Sequence, residues 1–178
     1  MKELSLHLLD LVQNSIEAGA RNIYIEMKKD LENKKLFLKI KDDGKGIPPE
    51  VLEELKNPFF TTRKTRKVGL GIPLFWEVVR SCNGNLNVGS EVGKGTEIIA
   101  EVPYDCIDLP PLGDISGTIL SLIVANPDLN LNFKFEKNGD IFEFSTEDLK
   151  RELNGIPLNS LEVISFLKKY IYENLGGW

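Results

Sequence analysis

His7, Asp10, Asn14 and Glu17 recur at intervals of three, four and three residues. At about 100° per residue, this spacing sets an imidazole, two carboxylates and an amide along one side of a helix. The solvated face of an amphipathic helix has the same pattern, so the stripe gains interest only beside three glycine-containing segments further along the chain. DDGKGI (42–47) closes a strand-like run, VGLGIP (68–73) precedes a helix-like one, and VGKGTEI (92–98) opens another strand-like run. Singly, each is ordinary turn punctuation. An ionised Asp42 accepts hydrogen bonds and donates none, so it suits a ligand that offers donors, and Asn14 offers an oxygen without adding an anion. Gly69 and Gly71, beside a helix start, can turn exposed backbone N–H groups toward a phosphate. The intervening NPFFTTRKTRK (57–67) carries Arg63, Lys64, Arg66 and Lys67. These are cations that can close over an anion or stand in solvent.

Periodicity predicts the elements that must hold these residues. Leu4, Leu8, Leu9, Leu11, Val12 and Ile16 predict a helix over 3–18 that stops at Gly19. Ile23, Ile25 and Met27 alternate with polar residues, as do Leu36, Leu38 and Ile40 after a polar turn, and the two runs predict an antiparallel pair. Pro48-Pro49 introduces a short helix through Leu55, and Pro73 fits the first turn of a helix ending at Asn83-Gly84. Strands around 85–90 and 96–102 complete a four-stranded antiparallel sheet with helices on one face, a two-layer α+β sandwich. Pro103, Pro110 and Pro111 mark a boundary, giving a first domain over 1–103, a linker over 104–113 and a small C-terminal α+β region over 114–178. In that region the reading is a helix over 115–125, a hairpin turning at Asn138-Gly139 that pairs Phe135 with Phe142 and Phe133 with Phe144, and a helix over 160–175. About 65 residues are marginal alone, so docking on the first domain or on a second chain is expected.

The 178 residues are 42% hydrophobic and 28% charged, a globular composition that excludes collagen-like and disordered chains. A net charge of -5 argues against a nucleic-acid clamp. No run approaches the roughly 18 apolar residues of a membrane span. The start is broken by Glu3, His7 and Asp10 where a signal peptide is uniformly apolar, so a cytoplasmic protein without a membrane partner is expected. Cys82 and Cys106 lack metal-ligand spacing and are expected to be reduced structural thiols, with their pairing left open.

The order of the motifs resembles the GHKL superfamily, named for gyrase, heat-shock chaperones, histidine kinases and mismatch-repair ATPases, over residues 2 to 103. The PFFTT and GKGTEI segments look most like a histidine-kinase catalytic domain. This resemblance implies the Bergerat-type sandwich and a site for ATP and Mg²⁺. Asn14, in LVQNSIEAGA, is similar to the asparagine of the first motif and is the implied Mg²⁺ ligand. Asp42, Gly44 and Gly46 match the D-x-G-x-G motif. Thr61, Thr62, Lys67, Gly69, Leu70, Gly71 and Thr96 fall on the later boxes, as nucleotide-binding positions. An Asp42 carboxylate would accept from the adenine amino group and oppose the guanine carbonyl, which favours adenine. Asp10 stands where GHKL hydrolases carry a water-activating glutamate. It preserves the charge with one methylene less, and is the implied general base.

Two classes of function are consistent with this resemblance. One is an enzyme, either an ATPase or a stand-alone kinase that phosphorylates a separate protein in trans; the other is a non-catalytic ATP-sensing module whose lid gates partner binding. Histidine kinases place a phosphoacceptor and dimerisation domain before the asparagine helix. With Asn14 so near the first residue, an acceptor outside the chain is expected, and the C-terminal region is the candidate homodimer contact. His7 reads as a packing or surface residue. No lysine after Pro111 aligns with the catalytic lysine of gyrase-like ATPases, which counts against DNA processing.

Overall fold

The computed structural model describes residues 3–56 and 70–178. Alternation of inward apolar and outward polar residues builds its sheet. β1 (Asn22–Asp30) buries Ile23, Ile25 and Met27, and β2 (Lys35–Asp42) buries Leu36, Leu38 and Ile40, paired antiparallel with Ile25 opposite Ile40. β3 (Asn85–Glu91) and β4 (Gly95–Pro103) continue that side, with Ile98 opposite both Ile40 and Val88. β5 (Asn130–Lys137) and β6 (Asp140–Ser145) extend the other side, giving the order β3-β4-β2-β1-β5-β6. Region 114–178 thus continues the sheet of 1–103. Its first strand lies parallel to β1, with Phe133 opposite Ile25, while every other pair is antiparallel. Six strands replace the four expected, because the β1–β5 pairing joins segments far apart in sequence and has no local signature.

The helices are α1 (Leu4–Glu17), α2 (Pro49–Lys56), α3 (Gly71–Ser81), α4 (Ile115–Ala125), α5 (Thr146–Glu152) and α6 (Leu161–Leu175). One apolar core runs from Leu86 and Ile98 past Leu8 and Leu11 of α1 to Ile119 of α4 and Leu167 of α6. The opposite face of the sheet carries ion pairs such as Lys28–Glu136 at 3.0 Å and Lys39–Glu97 at 2.9 Å. The result is the two-layer sandwich. The predicted hairpin register is present, and Asn138 and Gly139 both have positive φ, as a type I′ turn requires. The short helix α5 has no counterpart among the expected elements. Ser145 caps it, and its buried Thr146 hydroxyl donates to Leu129 O at 3.1 Å and accepts from Leu131 N at 2.9 Å.

The linker holds the start of α1. The carbonyls of Pro111 and Leu112 accept from Leu4 N and Ser5 N, each at 2.9 Å, satisfying donors that a helix start leaves free. Cys82 and Cys106 form a disulfide with their Cα atoms 5.6 Å apart, which corrects the expectation of two thiols. The physical reason is the turn at Asn83-Gly84. It folds the end of α3 back onto β4, where Gly84 packs on Val102, and a further turn after Pro103 returns Cys106 to Cys82.

Candidate functional site

A cavity of about 620 Å³ opens between α1, the loop after β2, and the start of α3, within the size range of small-molecule sites. Leu11, Ile72, Ile98 and Val92 supply apolar walls, while Asn14, Asp42 and Thr96 supply polar groups. Asp42 is 7% exposed, and its oxygens are fixed from three directions. Ser15 Oγ donates to Oδ2 at 2.6 Å, and Gly44 N and Thr96 N donate to Oδ1 at 2.9 and 3.2 Å. A buried carboxylate held by donors is a paired one. Its remaining lone pairs are available to a donor-bearing ligand.

A second hydroxyl cluster adjoins the first. Ser90 Oγ accepts from Ile47 N at 2.8 Å and donates to Gly95 O at 2.9 Å, and it lies 2.9 Å from Thr96 Oγ1. Because the Gly95 carbonyl can only accept, the Ser90 proton is committed to it and Thr96 donates to Ser90. The lone pairs of Thr96 are left for the cavity. Gly95, at φ +111°, is required by geometry as well as by space, since a Cβ there would overlap the Asp42 carbonyl.

The structure brings some of the residues singled out in sequence to one cavity and places others elsewhere. Asn14, Asp42, Gly46 and Thr96 line the cavity. Gly44 and Gly46 fit tightly against other parts of the protein, the first against Ala18 and the second against the Glu91 carbonyl. At the start of α3, Leu70 is the exposed N-cap and Gly71 approaches α1 closely. A Cβ on Gly71 would stand 2.9 Å from Asn14 Nδ2 and 3.3 Å from Asp10 Cβ. The Cβ of Asp10 lies beside the start of α3, and Asp10 is not among the residues lining the cavity. The buried Nδ2 of Asn14 has no hydrogen-bond partner among the described residues. Thr61, Thr62, Arg63, Lys64, Arg66, Lys67 and Gly69 lie outside the described residues.

Sequence reasoning missed Ser15, Ser90, Lys45 and Asp43. Lys45 lines the cavity and is pinned by Lys45 N to Ala18 O at 2.9 Å and Gly93 N to Lys45 O at 2.8 Å. The outer carboxylate, Asp43, accepts from Arg21 N, Asn22 N and Asn22 Nδ2 at 2.8, 2.9 and 2.8 Å. Partial burial works against its charge, but these hydrogen bonds outweigh that and hold its carboxyl below the ordinary range.

His7 is a packing residue. It is 2% exposed, its ring lies 5.7 Å from that of Phe75, and neither ring nitrogen has a partner among the described residues. Burial pushes the imidazole below its ordinary 6.5, with the Asp10 charge opposing in part. The unfolded chain therefore takes up this proton at higher pH than the folded one. Stability from this residue is complete above about 6.5 and falls as pH drops through that value toward the folded pKa. Urea unfolding from pH 7.5 to 5 is expected to show this limb, and His7→Leu to lack it.

Comparison with known proteins identifies the class of fold and site. Residues 2–105 match the family described as histidine kinase-, DNA gyrase B-, and HSP90-like ATPase, and the chain belongs to that family. Sporulation kinase E of Bacillus subtilis is 31% identical over 103 residues, which is 57% of this chain and 14% of that protein. Sporulation kinase C of the same organism is 28% identical over 101 residues, 57% and 23% of the two chains. Sensor kinase CckA of Brucella abortus is 42% identical over 62 residues, 34% and 7%. The match thus spans at most 23% of the length of these relatives. Among solved structures, the nucleotide-free catalytic domain of histidine kinase ThkA is 31% identical with a TM-score of 0.40, covering 56% of this chain and 64% of that one. The Aquifex aeolicus MutL ATPase domain complexed with ADP is 18% identical with a TM-score of 0.48, covering 86% and 68%. Among the described residues, no helix is long and apolar enough to cross a membrane.

Proposed function

We propose that the chain binds ATP with Mg²⁺ in this cavity and acts as a kinase-like regulator or ATPase, passing the γ-phosphate to a separate protein or to water. The observation that carries this reading is the buried, triply held Asp42 at the polar end of an apolar slot. An adenine ring would lie between the apolar walls and donate its amino hydrogen to Asp42, with Thr96 as a second acceptor. Asn14 would hold Mg²⁺ through its amide oxygen, and its nitrogen, without a partner among the described residues, would donate to a phosphate oxygen or water. Among the described residues, no group of three or more His, Cys, Asp or Glu is arranged to hold a metal. A single amide oxygen such as that of Asn14 suits Mg²⁺, which keeps several waters and takes phosphate oxygens as ligands. When bound, Mg²⁺ would neutralise charge on the transferring phosphate. Leu70 and Gly71 at the start of α3 would offer backbone N–H groups to the phosphates.

For turnover, Asp10 is the proposed general base, acting through a water. Asp10→Asn is expected to lower phosphate release by about 100- to 10,000-fold with ATP affinity unchanged. Unchanged release would remove Asp10 from the chemistry. His7 is buried, which argues against its own imidazole as the phosphoacceptor. The proposed setting is the cytoplasm, with a protein phosphoacceptor in trans and region 114–178 as the homodimer contact. A second reading, a non-catalytic ATP sensor, is favoured by the position of Asp10 outside the cavity lining. Incubation with labelled ATP and cell extract separates the two. Free phosphate or a labelled second protein supports the enzyme, and nucleotide-dependent association without transfer supports the sensor.

A further inference from the structure

A line of hydrogen bonds leads from the loop beside Asp42 into the C-terminal region. Asp43 Oδ2 accepts from Asn22 Nδ2 at 2.8 Å, Asn22 Oδ1 accepts from Asn130 Nδ2 at 3.0 Å, and Asn130 Oδ1 accepts from Lys150 Nζ at 3.2 Å. Lys150 also donates to Leu129 O at 2.9 Å. Every donor points the same way, from the ammonium on α5 to the carboxylate in the DDGKG loop. Lys150 and Asn130 are half-buried while Asn22 and Asp43 are exposed, so the polarisation of the two amides between cation and anion is strongest at the α5 end. Backbone bonds run alongside them, since Asn130 N donates to Arg21 O at 3.0 Å, and Arg21 N and Asn22 N both donate to Asp43.

Asp42, next to Asp43, is the proposed adenine contact, and Gly44 N is one of the donors that holds it. A shift of the loop would move both. We infer that Asn22, Asn130 and Lys150 are positioning residues of the adenine end of the site, so that β5 and α5 set its affinity for the base. This inference rests on the ATP reading above. It gives the C-terminal region a part in the nucleotide site separate from any contact with another chain. By linkage, a bound nucleotide stabilises the link from α5 through Asn130 of β5 to β1 by the same factor.

The test is a double-mutant cycle on the full chain with Asn22→Ala, Lys150→Met and the pair, reading dissociation constants for ATP and for inorganic tripolyphosphate in Mg²⁺, with thermal melting alongside. The two residues act on each other through Asn130. Each single change is expected to weaken ATP roughly 3- to 10-fold, the scale of one net hydrogen bond. Tripolyphosphate affinity should stay unchanged, the pair should be no weaker than either single variant, and Lys150→Arg should restore ATP affinity. Equal weakening of ATP and tripolyphosphate, additive losses in the pair, or unaltered ATP affinity would each overturn the relay. A wild-type chain that binds no ATP would instead overturn the nucleotide reading on which the relay depends.

Discussion

Asp42→Asn is expected to weaken ATP binding by about 30- to 150-fold, the ~2 to 3 kcal/mol of a hydrogen bond to a charged group. The wild-type carboxylate receives Ser15 on one oxygen and two backbone N–H groups on the other. In the variant, the amide oxygen keeps the two backbone donors and the amide nitrogen takes the position facing Ser15, whose hydroxyl can rotate to accept. The fold is thereby preserved, and the loss falls on the ligand, because an amide NH₂ replaces the oxygen proposed to accept from the adenine amino group. The same NH₂ can donate to the guanine carbonyl. GTP should therefore lose less than ATP, and the ratio of the two affinities should fall. Isothermal titration of both nucleotides into both proteins measures this. An unchanged ATP affinity would show that Asp42 does not touch the base.

The motif residues were picked out by the resemblance of their ordered segments, since each segment alone reads as an ordinary turn or helix face. Asn14 and Asp42 line one cavity, as the resemblance implied, and the aromatic pairs of the β5–β6 hairpin follow from Asn138-Gly139. What could not be read depends on contacts between distant segments. Ser15 is one residue from Asn14, about 100° around the helix, and nothing local shows that its hydroxyl meets Asp42, 27 residues on. The stripe on α1 shows the same limit. Its polar residues suggested one uniform face, yet His7 is buried against Phe75, the Cβ of Asp10 lies beside Gly71, and Glu17 is exposed at the cavity. Two helices packed side by side divide a stripe that a single helix presents as continuous. The parallel pairing of β1 with β5 was hidden for the same reason, since register between remote strands is set by their shared core. Ile25 and Phe133 illustrate this.

The largest effect on stability is expected at the disulfide. Cys82 and Cys106 are 24 residues apart, and closing a loop of that length removes roughly 3 kcal/mol of chain entropy from the unfolded state. For a chain of this size, each kcal/mol is worth roughly 2 to 4 °C, so Cys106→Ser, or reduction of the wild type, should lower the melting temperature by about 6 to 12 °C. The bond joins the end of α3 to the linker, and the linker supplies the carbonyls that cap α1. Both helices wall the cavity. If they stay packed when the link is cut, ATP affinity will be unchanged at 25 °C and only the melting curve will move; their packing rests on Leu8, Leu11, Phe75 and Val79, all buried and independent of the sulfurs. Melting with and without reductant, beside the Cys106→Ser variant, checks the expectation. The reduced wild type and the variant should coincide. A reduced protein as stable as the oxidised one would mean that the unfolded chain is already restricted near these cysteines, leaving the link little entropy to remove.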